Sequence, residues 1–325
     1  MQRRPILRFA AMATFAATVC ASALTSQAQD TTPIKILVGA SPGGFTDTVA
    51  RALAAEMSLV MKGRSVVVEN RPGAGGNIAA QMVSKATPDG TTLLVSFTSH
   101  AINATLYPKL PFDPIKDFTP LTQLATAPGV LVVSPTVQAN TLNEFIALAK
   151  REPGKLNFGI PGVGASTHLA GEMFKMQAGL NIVSIPYKGT SPVITALLAG
   201  EVQMSMATVS NAKPYVVAGK LRALGVTSAK RVPEFPDVQA ISEVLPGFES
   251  NAWYALFGPA NMAPDLVKTI SDAARKAVAT PAVRARLEQD GATVVAGSPD
   301  ELAALLKADI PRWGKIVKAS GASAE

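Results

Sequence analysis

The chain has 325 residues, 48% of them hydrophobic and 16% charged, with a formal net charge of +7, two histidines and one cysteine. Arg3, Arg4 and Arg8 stand ahead of the first acid, Asp30, so the rest of the chain carries only +4, scattered among few aromatics. That distribution argues against nucleic-acid binding, which needs a concentrated basic face, and so few histidines and cysteines argue against a transition-metal site.

The first element in chain order is a leader. The three arginines precede an apolar stretch over 9–24, and Ser26-Gln27-Ala28 offers small residues for cleavage, which predicts a secretory signal peptide over 1–28. The stretch is too short and too rich in alanine for a convincing membrane span. Arg3-Arg4 permits twin-arginine export only weakly, because Pro5 follows and no Ser or Thr precedes the pair. Cys20 falls inside the leader after Val19, without the small residue a lipid-attachment site prefers, so the mature chain is expected to hold no cysteine and no disulfide. No later stretch is apolar enough to span a bilayer, and the expected product is soluble and periplasmic.

The next predicted strand, 34–38, runs into Ser41-Pro42-Gly43-Gly44-Phe45-Thr46-Asp47 and then into a helix over 47–61. A strand that ends in two glycines and opens a helix turns several backbone N–H groups toward one spot, where the helix end adds partial positive charge and an anion can sit. The same residues also suit an ordinary strand-to-helix turn. Further strands are predicted at 66–69, 92–96, 129–133, 157–158, 182–185, 204–208, 224–227 and 255–258. Between and after them come helices at 76–85, 141–151, 166–179, 191–199, 264–279, 281–290 and 299–317. Strands alternating with ten-to-fifteen-residue helices predict an α/β fold with largely parallel sheets, and nearly 300 mature residues predict two domains. Thr46-Asp47 and Ser166-Thr167 are candidate helix caps, Thr141 with Glu144 reads as a capping box, and Pro264 and Pro281 suit first helical turns.

Gly162-Val163-Gly164-Ala165-Ser166-Thr167-His168 repeats the strand-turn-helix arrangement and adds two hydroxyls and an imidazole. Three enzyme motifs fail on it: a P-loop needs Lys where Ala165 stands, a nucleophile elbow needs Gly where His168 stands, and a dinucleotide fingerprint needs Gly where Thr167 stands. His100 and His168 both lie at strand-to-helix junctions, where an imidazole more often caps or orients than acts as a base. A serine-dependent hydrolase stays open as an alternative, because triads are assembled in space. A ligand sensor serving a signalling partner is a second alternative.

An ordered set of motifs then carries a family resemblance. Pro42-Gly43-Gly44 with Thr46-Asp47 comes first, then the run from Val67 to Ile78 that contains Glu69-Asn70-Arg71-Pro72-Gly73-Ala74-Gly75-Gly76-Asn77, and then Pro88-Asp89-Gly90. Gly162, Gly164 and Ser166-Thr167-His168-Leu169 follow, with Pro186-Tyr187-Lys188-Gly189 and Gly219-Lys220-Leu221-Arg222 after them. From about residue 33 to the C-terminus the chain resembles the substrate-binding receptors of tripartite tricarboxylate transporters, the Bug family.

The resemblance implies a two-domain flytrap of the type II kind with a central cleft. One discontinuous domain would comprise 29–127 and 251–325, the other 128–250. It implies a monomeric carrier of a small di- or tricarboxylate, with no enzymatic activity and no cofactor, that serves a permease of one large and one small membrane subunit. Ligand-contacting positions carried over are Gly43, Gly44, Phe45, Thr46, Asp47, Thr98, Ser166, Thr167, His168, Tyr187 and Thr208. Asp47 also reads as a helix-capping carboxylate or an (i, i+4) partner of Arg51, Tyr187 as core, and Lys188 as a solvated cation. The segment 71–77 reads equally as ligand contact or fixed turn. The chain departs from the family pattern at Phe45, where a smaller residue is common, and at Gln203, where relatives often carry an acid. Phe45 with Phe97 would favour an aromatic or bulkier acid.

Overall fold

A computed structural model describes residues 32–324 except residue 63; the predicted leader lies outside the described residues. The chain builds two sheets in succession and returns to the first. β1 (Ile34–Val38) is a nearly continuous apolar run that pairs in parallel with β2 (Val66–Asn70) and β3 (Thr92–Phe97). α1 (Phe45–Val60) and α2 (Asn77–Ser84) make the right-length crossovers, and α3 (Ser99–Leu106) follows β3. β4 (Phe118–Ala127) ends this pass.

β5 (Gly129–Val133) opens the second sheet one residue later. It is followed by α4 (Leu142–Arg151), β6 (Asn157–Ile160), α5 (Ser166–Ala178), β7 (Val183–Pro186), α6 (Thr190–Ala199), β8 (Met204–Thr208), α7 (Val209–Val217) and β9 (Arg222–Val226). The chain then re-enters the first sheet as β10 (Ala252–Pro259) and finishes with α8 (Pro264–Val278), α9 (Pro281–Glu288), β11 (Thr293–Val294) and α10 (Pro299–Ser320).

The strand orders are β11-β4-β10-β3-β1-β2 and β7-β6-β8-β5-β9. Each sheet thus carries a parallel trio with its first strand in the middle. Beside the third strand of each trio lies an antiparallel strand that the chain enters on arriving from the other sheet, β10 in one and β5 in the other. The sheets are therefore mixed where largely parallel ones were expected, with four parallel pairings and five antiparallel ones among the named strands. The expectation held for the βαβ runs; the crossing strands β5 and β10 broke it, each running antiparallel to both of its neighbours.

Helix faces explain the packing. In α1 the buried residues Val49, Ala50, Leu53, Ala54 and Met57 fall on one stripe, and α8 presents Ile270, Ala273, Ala274 and Ala277. The two helices pack together beside the first sheet, and each fully buried Leu or Met there contributes about 1.5–3 kcal/mol. Pro264 and Pro281 occupy first turns as predicted. Thr141 Oγ1 accepts the Glu144 N–H, while the Glu144 carboxylate reaches back to the Asn140 N–H. Among the described residues no helix is long and apolar enough to cross a membrane.

Candidate functional site

The carboxyl ends of β1, β3, β6 and β8 all run directly into turns that open helices, the place where open α/β sheets hold ligands. Where the sheets meet lies a pocket that is open in part to solvent. Ala127, Pro128 and Gly129 of the first crossover form one wall, with Ser250 and Ala252 of the second. Ser166, Thr167 and Ala170 come from the start of α5, and Met206, Thr208, Thr227 and Tyr254 complete the lining.

Among the described residues no charged side chain and no histidine lines this pocket. What it offers an anion is hydroxyl groups and helix ends. α5 starts at Ser166 with Ala165 as its N-cap and no side-chain cap, so Ser166 and Thr167 sit in the first turn, and neither is the cap that the sequence predicted. α7 is capped by Thr208, whose Oγ1 accepts the Asn211 N–H at 3.4 Å and lies 3.2 Å from Ser210 Oγ. Two helix N-termini, one capped and one not, therefore border the same space.

The first turn stands to one side of it. Gly44 caps α1 without a side-chain bond, in place of the expected Thr46 or Asp47, and Gly43 has φ +80°. Asp47 lies behind the turn, 4% exposed: Oδ2 accepts the Gly43 N–H and Arg51 Nε–H, and Oδ1 accepts from Asn70 Nδ2. Burial alone would raise its pKa, but bonds from Arg51, Gly43 and Asn70 hold it below the usual carboxylate value. The (i, i+4) pair with Arg51 is present, and Asp47 shapes the turn from inside. Thr46 is buried beside it.

Phe45 connects this turn to the pocket, its ring centroid 4.8 Å from that of Tyr254 in an edge-on contact. Tyr254 pairs with Phe97 across β10 and β3, so the three rings gather at one end of the first sheet. The loop over 71–77 is fixed by its own backbone and by Asn103, which donates to Gly75 O and Asn77 Oδ1. Gly76 comes so close to Gly39 that a methyl built on Gly39 would stand 2.6 Å from its Cα.

Thr98 is 1% exposed, and its Oγ1 accepts the Trp253 N–H at 2.9 Å, continuing the strand ladder. Tyr187 packs beside Gly159 and is not part of the pocket lining, while Lys188 is exposed. His168 is 5% exposed and turned beneath its own loop. Its Nδ1 accepts the Gly164 N–H at 3.1 Å and its Nε2 lies 3.5 Å from Glu172 Oε1.

His100 is a core residue. It hydrogen-bonds the Pro114 carbonyl through Nε2 and packs among Phe112, Phe118 and Phe257. Burial drives its pKa to about 4, against the opposing pull of that carbonyl. Among the described residues no serine hydroxyl is bonded to either histidine, so the constellation a serine hydrolase needs is not assembled around them there. Among the described residues no three His, Cys, Asp or Glu cluster to hold a metal.

Sequence reasoning therefore placed Ser166, Thr167 and Thr208 on the pocket and missed Tyr254, Thr227 and Ser250. The missed residues lie at the ends of strands that meet only because the chain changes sheets there.

Behind α5, Glu172 accepts from Lys175 Nζ at 2.8 Å and Ser184 Oγ at 2.5 Å as well as facing His168. Burial opposes ionisation, yet the bonds from His168, Lys175 and Ser184 bring its pKa from 4.5 down to about 2. A carboxyl whose folded pKa is depressed stabilises the fold above its unfolded pKa and loses that contribution as pH falls toward the folded value. Urea midpoints should thus fall between about pH 4.5 and 2. In Glu172→Gln the fall over this window should be shallower, and an unchanged slope would remove Glu172 from the account.

The sequence profile of the tripartite tricarboxylate transporter family receptor matches residues 49–322. The chain is similar to the solved periplasmic binding protein BugD, 31% identical with a TM-score of 0.77, over 90% of this chain and 99% of that one. It is similar to Rpa4515 of R. palustris with adipate, 32% identical with a TM-score of 0.78 over 89% and 97% of the two chains. It is also similar to MatC of Rhodopseudomonas palustris with bound malate, 33% identical with a TM-score of 0.75 over 88% and 98%.

Proposed function

The chain belongs to the tripartite tricarboxylate transporter receptor family, and from that premise we propose that it captures a small carboxylate between its two sheets and delivers it to a permease of large and small membrane subunits. On this reading it is exported by its leader and works in the periplasm. The two lobes are 29–127 with 251–325, and 128–250, hinged at the two crossovers. The observation that carries the reading is the pocket itself: hydroxyls and helix N-termini converge on a space with no charged side chain, which suits an anion held by backbone dipoles. Similar chains solved with adipate and with malate support a dicarboxylate. On this reading Ser166, Thr167 and Thr208 touch ligand directly, and Gly43, Gly44 and Phe45 close over it.

One observation favours an acid with an aromatic body. Tyr254 lines the pocket, with Phe45 meeting its ring edge-on and Phe97 paired beside it, so an aromatic cluster backs the one ring that faces the site. A thermal-shift screen of the mature protein with adipate, malate, citrate and benzoate tests both points. A ligand at a hundredfold excess over Kd stabilises the native state by about 2.7 kcal/mol, a visible rise in Tm. The expected result is a rise with at least one acid, reduced in Ser166→Ala by the loss of one hydroxyl, about fivefold in affinity. No rise with any of the four acids would overturn the carboxylate assignment. A rise with benzoate alone would favour the aromatic acid.

A further inference from the structure

We propose that Thr227 and Ser250 hold the second carboxylate of the ligand and so make the site selective for dicarboxylates over monocarboxylates; this rests on the carboxylate reading above. Both residues line the pocket where the chain changes sheets. Thr227 is 0% exposed and Ser250 6%, so neither hydroxyl is freely hydrated.

A hydroxyl has one hydrogen to give and two lone pairs to receive with. Thr227 Oγ1 receives the Gly129 N–H at 2.6 Å, which uses a lone pair and leaves its own hydrogen without an acceptor among the described residues. The Ser250 hydroxyl has no hydrogen-bond partner there at all. Its backbone N–H goes to the Thr227 carbonyl at 2.9 Å, which sets the two residues side by side. By comparison, three buried hydroxyls away from the pocket have given their hydrogens to carbonyls: Thr122 to Gly297 at 2.7 Å, Ser205 to Gly159 at 2.8 Å and Ser271 to Leu121 at 2.7 Å.

Strand register places this pair opposite the hydroxyls already described. Gly129 pairs with Thr208 of β8 on one side. On the other it exchanges bonds with Thr227, whose N–H donates to the Gly129 carbonyl at 2.9 Å. Thr208 and Thr227 thus flank one glycine, two interstrand spacings or roughly 9–10 Å apart. A methyl built on Gly129 would stand 3.2 Å from Thr227 Oγ1, so the floor between the two threonines is open because residue 129 has no side chain. A molecule with an oxygen-bearing group at each end spans that floor. One carboxylate meets Thr208 and the first turn of α5, and the other receives the hydrogens of Thr227 and Ser250. A methyl in place of the second carboxylate strands both hydrogens, and a buried donor with no acceptor is costly. An ammonium there brings no acceptor for Thr227 either.

The test pairs each dicarboxylate with the monocarboxylate in which a methyl group replaces one carboxylate: adipate with hexanoate, and malate with 2-hydroxybutanoate. Affinities are read by titration calorimetry on the mature protein and on Ser250→Ala, Thr227→Ser and Thr227→Val. In wild type at least one dicarboxylate should bind about a hundredfold more tightly than its partner, the worth of two hydrogen bonds to a charged group. Ser250→Ala and Thr227→Val should each cut that ratio about tenfold, whereas Thr227→Ser, which keeps the hydroxyl, should hold it. Without ligand, Ser250→Ala removes a hydroxyl that nothing in the protein uses, so its Tm should stay at the wild-type value or rise.

An unaltered ratio in Ser250→Ala overturns the inference and leaves the carboxylate reading standing. The same holds for a ratio that falls as far in Thr227→Ser as in Thr227→Val, or for a wild type that binds the monocarboxylates as tightly as the dicarboxylates. A lowered Tm in unliganded Ser250→Ala also overturns it, because the hydroxyl would then be serving the fold. Thr227→Val strips the Gly129 N–H of its acceptor as well, so if that variant fails to fold, Ser250→Ala decides. If none of the four acids binds the wild type, the carboxylate reading falls and this inference with it, a failure that the wild-type titrations alone reveal.

Discussion

Gly164→Ala is expected to raise the Kd for a bound acid about tenfold or more while leaving the protein folded. A methyl group on Gly164 would stand 2.0 Å from Leu106 Cδ2 and 3.1 Å from its Cγ, well inside contact distance. Leu106 ends α3 beside the first sheet, whereas Gly164 belongs to a turn of the second, so the clash lies between the two lobes of the proposed trap. A second effect acts everywhere: φ +77° in a non-glycine residue costs about 1–2 kcal/mol whether or not ligand is present. Only the clash bears on binding, because overpacking of about 1–3 kcal/mol is felt when the lobes are together and relieved when they part. That energy corresponds to about fivefold to 150-fold in affinity, with tenfold near the lower end.

A second substitution separates the two effects. Leu106→Val withdraws the Cδ2 methyl and should restore most of the affinity in the double variant, though not the stability lost to backbone strain. Titration calorimetry of the single and double variants, with small-angle scattering to follow compaction on ligand addition, checks this. Unchanged affinity in Gly164→Ala, or no recovery in the double variant, would show that the Gly164–Leu106 contact is indifferent to ligand.

How much of this was legible in the chain depends on which residues are asked about. β1, β5 and β8 were read to the residue, because each is a short apolar run bounded by turn residues. The predicted helices end within three residues of the observed ones, helped by prolines at positions 264, 281 and 299 that mark first turns. α3 and α7 were not read, the latter because it carries Pro214 inside it. β4 was missed because Pro120 and two register shifts against β10 break its alternation.

The site divides in the same way. Ser166 and Thr208 were legible because hydroxyls at the start of a helix after a strand are a local pattern. The (i, i+4) pair of Asp47 with Arg51 was legible too, but the bond from Asn70 and the inward commitment of Thr98 and His168 were not, since Asn70, Trp253 and Glu172 are set by distant pairing or by which way a ring turns. Tyr254 lay beyond sequence reasoning for a further reason. Its exposure to the pocket depends on β10 entering the first sheet between β3 and β4, a pairing across more than a hundred residues.

Asp309→Ala should be the most destabilising of the substitutions considered, about 3–5 kcal/mol, the usual cost of deleting one member of a buried charged network. Asp309 is 4% exposed within α10. Its Oδ2 accepts from Trp253 Nε1 at 2.7 Å and Trp313 Nε1 at 3.2 Å, and its Oδ1 accepts from Arg312 Nε and Nη2 at 3.0 Å. Without the carboxylate, two indole N–H groups on rings no more than 2% exposed lose their acceptor, and each such orphan costs about 1–3 kcal/mol.

The loss would also reach the second crossover. Arg312 Nη1 donates to the Glu249 carbonyl, and Trp253 stands just inside β10, so one carboxylate ties the returning strand to the C-terminal helix. Both tryptophans of the chain belong to this cluster, so urea denaturation followed by their fluorescence reports on it directly. Asp309→Asn should fall between wild type and alanine, because it keeps one acceptor oxygen for the indoles and gives up the charge that Arg312 faces. Asp272→Ala, which removes an exposed partner of Lys268, should change stability by no more than about 0.5 kcal/mol. If Asp309→Ala lost no more than that surface control, the two tryptophans and Arg312 must find other partners, and the cluster could not be what fastens β10 to α10.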